Sequence, residues 1–100
     1  MTMELKDTVG MMSSSDYRDR FKAEYYQLKI RYEKLKGFNN HIDAAMATRF
    51  TAPGEMPEDR KQLEMPKHDC PIDMLRAQQN AMGEYLHILE VRAVIENIEL

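Results

Sequence analysis

One hundred residues, 43% hydrophobic and 31% charged, describe one small domain. A net charge of −3 argues against a general nucleic-acid binder, and no run approaches the roughly 18 apolar residues of a membrane span. The single cysteine, Cys70, rules out an intrachain disulfide. The start lacks a basic segment followed by an apolar run, so the expected compartment is the cytoplasm.

Few glycines and prolines among many Ala, Leu, Met, Glu, Lys and Arg point to an all-α chain. Residues 1–12 read as a short lead-in helix, with Thr2 as its cap and Met3, Leu5, Val9, Met11 and Met12 as its apolar contacts. It is too short to be stable alone and must lie on the rest of the chain or on a neighbour. Gly10 and the serines at 13–15 interrupt it.

Residues 14–48 read as a first long arm. Tyr17, Phe21, Tyr25, Leu28, Tyr32 and Leu35 recur at helical spacing, all within a sector about 80° wide. Ser14 or Ser15 is the expected cap. Asp16 and Asp19 suit the positive end of the helix dipole, and Lys34 and Lys36 its negative end. Gly37, with Asn39 and Asn40 just beyond it, can end the helix, but the helix formers of HIDAAMATRF let it restart or continue to about residue 48. Ala23, Tyr26 and Ile30 form a second apolar site opposite the main stripe, which needs cover from the lead-in or from another chain.

Residues 49–70 read as a long loop broken by Pro53, Gly54, Pro57 and Pro66, with a single turn at 58–64. His68, Asp69 and Cys70 lack a second cluster of ligands, so no metal is expected. The second arm spans 71–98, with Asp69 or Cys70 as cap and Pro71 opening the helix. Leu75, Met82, Leu86, Leu89, Ala93 and Leu100 form its main stripe, with Gln79 inside it. Ala77, Ala81, Ile88, Val91 and Ile95 gather on the other side. The expected architecture is a short N-terminal helix followed by a long antiparallel helical hairpin. A hairpin this thin has little interior, so a homo-oligomer is expected, with Tyr26, Ile30, Ala77, Ala81, Ile88, Val91 and Ile95 as candidate interface residues.

No catalytic set emerges: no glycine-rich phosphate loop, no nucleophile elbow, no supported Cys–His pair. Glu24, Glu33, Glu84 and Glu90 read more simply as solvated or salt-bridged helix residues. No cofactor is expected. Residues 16–36 hold seven basic against four acidic residues, and residues 71–100 two against five. This charge pattern suits antiparallel pairing, and it leaves a basic strip able to receive a phosphate. Tyr17, Arg20, Tyr25, Lys29, Arg31 and Tyr32 are the candidate ligand residues, because tyrosine rings stack on nucleobases and Arg or Lys binds phosphate. The simpler reading makes the tyrosines core and the arginines partners of Glu84, Glu90 or Glu96, with Arg92 and Glu24 as an inter-arm pair.

The segments SSDYRDRFKAEYYQLKIRYEKL and CPIDMLRAQQNAMGEYLHILEVRAVIENIEL cover about half the chain. Their patterns, DYxxRFxxEYxQxKIRYxKL and CPxxxLxxQxxxMxxYLxxLExRAxIExI, resemble small hairpin proteins of phages and prophages, a family named after a crAss-like phage product. The connection between the arms is longer here than is usual in that group. The architecture is also similar to the hairpin sponges with which phages sequester cyclic-nucleotide immune signals, in the anti-CBASS and anti-Thoeris classes. That resemblance implies a non-enzymatic, multimeric protein of the host cytoplasm. It would hold a small cyclic nucleotide in pockets between protomers. The alternatives are an inhibitor that binds a host defence protein, or a structural or regulatory phage component. Neither a membrane nor a specific nucleic-acid sequence is an expected partner.

Overall fold

The computed structural model describes residues 3–49 and 63–100. Among these the chain is all-helical. A 3₁₀ turn at Leu5–Thr8 leads into the short α1 (Val9–Met12), and then come α2 (Tyr17–Arg49) and α3 (Ile72–Glu96). The molecule is a rod of 59 × 25 × 25 Å in which α2 and α3 pack on one another and the lead-in packs on α2. Thr2 and most of the 58–64 turn lie outside the described residues.

Helix starts differ from the expected ones by a residue or two. At α2 the cap is Asp16 and neither serine: its Oδ1 accepts the Arg18 N–H at 3.0 Å. Ser14 supports this cap from outside. Its hydroxyl accepts the Asp16 N–H at 3.1 Å and donates to the Asp19 carboxylate at 2.8 Å. At α3, Pro71 occupies the capping position, one residue later than expected, and its carbonyl accepts the N–H groups of Met74 and Leu75. The 3₁₀ turn carries a capping box in which the Glu4 N–H reaches Asp7 Oδ2 at 2.9 Å.

α2 does not stop at Gly37. It runs unbroken for 33 residues, because the turns beyond the glycine bury Asn39, Ile42 and Ala45. That burial outweighs the roughly 1 kcal/mol an interior glycine costs a helix. α3 ends where Asn97 turns left-handed (φ 56°), letting the Ile98 N–H close back on the Ala93 carbonyl at 2.8 Å. This reversal folds Ile98 into the core beside Phe21, Tyr25, Leu86, Leu89 and Ala93.

The two main stripes therefore meet, with Leu28 and Tyr32 packed partly against that core. Tyr32 comes so close to α3 that a Cβ at Gly83 would sit 3.3 Å from its ring. Further along, Asn39 is buried in the same seam and donates to Gln79 Oε1 at 2.8 Å and to the Leu75 carbonyl at 3.3 Å.

The second face of α2 is covered by the lead-in. Thr8 is fully buried. Its hydroxyl donates to the Leu5 carbonyl at 2.7 Å and accepts from Gln27 Nε2 at 2.9 Å. Ala23 is buried, and Tyr26 and Ile30 are half-buried.

Candidate ligand-binding surface

Lys29 sits between two hollows, because its neighbours on α2 point to both sides of the helix. On one side, the lead-in and α2 enclose a groove of about 670 Å³, lined by Met3, Leu5, Lys6, Tyr26, Ile30 and Lys34 together with Lys29, Glu4 and Glu33. Its floor is apolar and aromatic and its rim carries three lysines. Lys6 is held at 3.2 Å by Glu4, and among the described residues neither Lys29 nor Lys34 has such an ion-pair partner. A hollow of this size and lining fits a small molecule with a flat apolar body and an anionic group.

On the other side, Tyr25, Tyr32, Gly83, Leu86 and Glu90 line a cleft of about 330 Å³ along the junction of the arms, again with Lys29 and Glu33. The Lys29 ammonium lies 5.9 Å from the Tyr25 ring centre, and Lys36 stands equally far over Tyr32. Burial pushes the Tyr25 hydroxyl above its ordinary pKa.

The remaining candidates stand apart. Tyr17 belongs to a clamp at the open end of the hairpin. Its hydroxyl donates to Glu96 Oε1 at 2.7 Å and accepts from Arg92 Nη2 at 2.8 Å, while Arg92 Nε reaches Glu96 Oε2 at 3.1 Å. The bond from Tyr17 holds the Glu96 carboxyl below the usual carboxylate range, and the same bond raises the Tyr17 hydroxyl. The guanidinium also lies 5.2 Å from the Phe21 ring centre. The expected Arg92–Glu24 pair does not form, because Arg92 is engaged by Glu96 and Tyr17, and Glu24 accepts the Tyr85 hydroxyl instead. Arg20 is spent on the Ser14 carbonyl at 2.9 Å. Arg31 is exposed and lies outside both hollows.

So Tyr25, Lys29 and Tyr32 come together, while Tyr17, Arg20 and Arg31 lie elsewhere along the rod. The groove's other wall, Met3 to Lys6, was not among the candidates. The apolar pair Tyr26 and Ile30, which needed cover, was the signal for it.

A family model matches residues 15–64 and 54–95, and so nearly the whole of both arms. The chain belongs to the Sequestin family. The two matched stretches overlap at residues 54–64. No curated protein and no solved structure matches the chain. No helix among the described residues is long and apolar enough to cross a membrane. His68 Nδ1 bonds the Cys70 carbonyl at 2.7 Å, and no group of three or more metal-ligating side chains gathers among the described residues.

Proposed function

We propose that this chain is a phage-encoded, non-enzymatic anti-defence protein of the host cytoplasm. It binds and sequesters a nucleotide-derived, cyclic immune signal in pockets that adjoining protomers complete. The family's name fits a protein that sequesters a signal. The observation that carries the ligand class is the position of Lys29 between two tyrosine-walled hollows. The half-buried Tyr26 and Tyr32 rings offer flat faces to a base, and ammonium groups offer charge to a phosphate. Of the six ligand candidates, Tyr25, Lys29 and Tyr32 form the nucleus of the site, and Tyr17, Arg20 and Arg31 stand outside it. In this reading a second protomer closes the groove over its solvent-facing side.

Thermal denaturation against a panel of cyclic di- and trinucleotides and ADP-ribose derivatives tests this reading. A ligand at a hundredfold excess over its Kd adds about 2.7 kcal/mol and raises the Tm by many degrees. The ligand should be recovered chemically intact after the protein is denatured. No shift with any member of the panel would refute the reading.

One observation favours a second reading. The side of α3 turned away from α2 exposes Ile88, Val91 and Ile95, a surface that an inhibitor of a host defence protein would use.

A further inference from the structure

α3 carries two seams of identical spacing on nearly opposite sides. Leu75, Gln79, Met82, Leu86, Leu89 and Ala93 step by 4, 3, 4, 3 and 4 residues and face α2. Ala77, Ala81, Glu84, Ile88, Val91 and Ile95 step by the same 4, 3, 4, 3 and 4, and all six are exposed. Ile88 retains 55%, Val91 44% and Ile95 76% of full exposure. Such alternation is the signature of a helix that packs knobs into holes against another helix, and the protomer fills only the first of its two seams.

The second seam is graded in size, with alanines at its start and β-branched residues at its end. Parallel pairing of two copies would set alanine against alanine and leave a void there. Antiparallel pairing about a two-fold at Leu86 sets Ala77 against Ile95, Ala81 against Val91 and Glu84 against Ile88 of the other copy. Small meets large at both ends, as close packing requires. We propose that two copies of this chain pair antiparallel along this outer seam of α3. The match in size is the argument for a second copy over a foreign protein, since a surface evolved for another partner has no reason to be complementary to itself.

The pairing has two consequences. In this register each Glu84 faces Ile88 of the other copy, and the two Glu84 carboxylates fall about 6 Å apart along the axis near the two-fold, which weakens the pairing. The two α2 helices lie on opposite outer sides of the pair, so both lysine-rimmed grooves face solvent. If adjoining protomers complete the ligand site, as the proposed function requires, the closing wall comes from a second pair, and the assembly holds an even number of chains.

Light scattering at tens of micromolar should give an even multiple of 11.8 kDa. Ile88→Glu with Val91→Glu, both on an exposed face, should keep the helical circular dichroism and lower the mass to half or less. Glu84→Leu should tighten the pairing by at least about tenfold. In a Cys70→Ser background, Ala77→Cys with Ile95→Cys should oxidise to a covalent dimer, and neither single cysteine should do so. The two sites are about 27 Å apart on one helix, beyond the reach of an internal disulfide. A monomeric chain, a mass unchanged in the glutamate variant, or cross-linking by Ala77→Cys alone would overturn the proposal. Ligand shifts that persist in the glutamate variant would leave the sequestering function standing while separating it from this seam.

Discussion

Asn39 donates its side-chain N–H to Gln79 at 2.8 Å within a seam that is otherwise apolar. The arms are rods with repetitive stripes, and sliding one past the other by a turn would still pair apolar residues. It would also strand a buried amide, so the pair pins the register. Asn39 Oδ1 has no hydrogen-bond partner among the described residues.

Asn39→Ala should therefore lower unfolding stability by about 1–3 kcal/mol, because it leaves Gln79 without its donor in a half-buried position. Asn39→Leu with Gln79→Leu should recover most of that loss or exceed it. Urea denaturation measures both variants.

The clamp of Tyr17, Arg92 and Glu96 ties stability to pH. Glu96 titrates below the ordinary glutamate value of 4.5. Its contribution is thus complete above that value and is lost as pH falls through the lowered one. Tyr17 titrates above the ordinary 10.0, so its contribution is complete below that value and fades as pH rises beyond it. Tyr17→Phe should flatten the acid limb of a Tm–pH profile. It should soften the alkaline limb only in part, since Tyr25 and Tyr85 are raised as well.

Two glycines on the long helices should respond differently to alanine. Space around Gly37 is open, so Gly37→Ala should stabilise by about 0.5–1 kcal/mol, read as a Tm higher by several degrees. A Cβ at Gly83 meets Tyr32 at 3.3 Å, so Gly83→Ala should gain less or lose stability. It should also move Tyr32 in the cleft, which tyrosine fluorescence or NMR would register.

The lead-in should detach as a unit. Thr8→Val removes the acceptor of Gln27 and should cost about 1–2 kcal/mol locally. Hydrogen exchange at residues 3–12 should accelerate while the protected core of α2 and α3 stays slow. Ligand affinity should fall in the same variant, because one wall of the groove is lost.

Among the six ligand candidates, Lys29→Ala is expected to weaken binding most, since Lys29 is the one candidate of the six that lines both hollows. Tyr26→Ala, on the groove floor, should cost about tenfold or more if a base stacks there. Calorimetric titration with whichever nucleotide shifts the Tm would check both.

What can be read along the chain is what depends on spacing. The stripe through Phe21, Tyr25, Leu28 and Tyr32 and the one through Leu86, Leu89 and Ala93 are periodic, and periodicity alone names the faces that meet. Helix starts were legible only to within a residue or two, because several adjacent polar residues compete for one cap and local geometry chose Asp16 over two serines. The pairing of side chains across the arms was not legible. Arg92 had several acids within plausible reach, and only the fold set Tyr17 beside Glu96 and Tyr85 beside Glu24. The helix formers beyond Asn40 allowed α2 to continue to about residue 48, and burial of Asn39, Ile42 and Ala45 decided that it did, whereas no local pattern records the return of Ile98 into the core. The sequence by itself determined two amphipathic rods and the apolar surface left over from their pairing. The tertiary structure decided which of that surface the lead-in covers, and so where the groove beside Lys29 opens, because such a hollow exists only once two segments distant in sequence are held together.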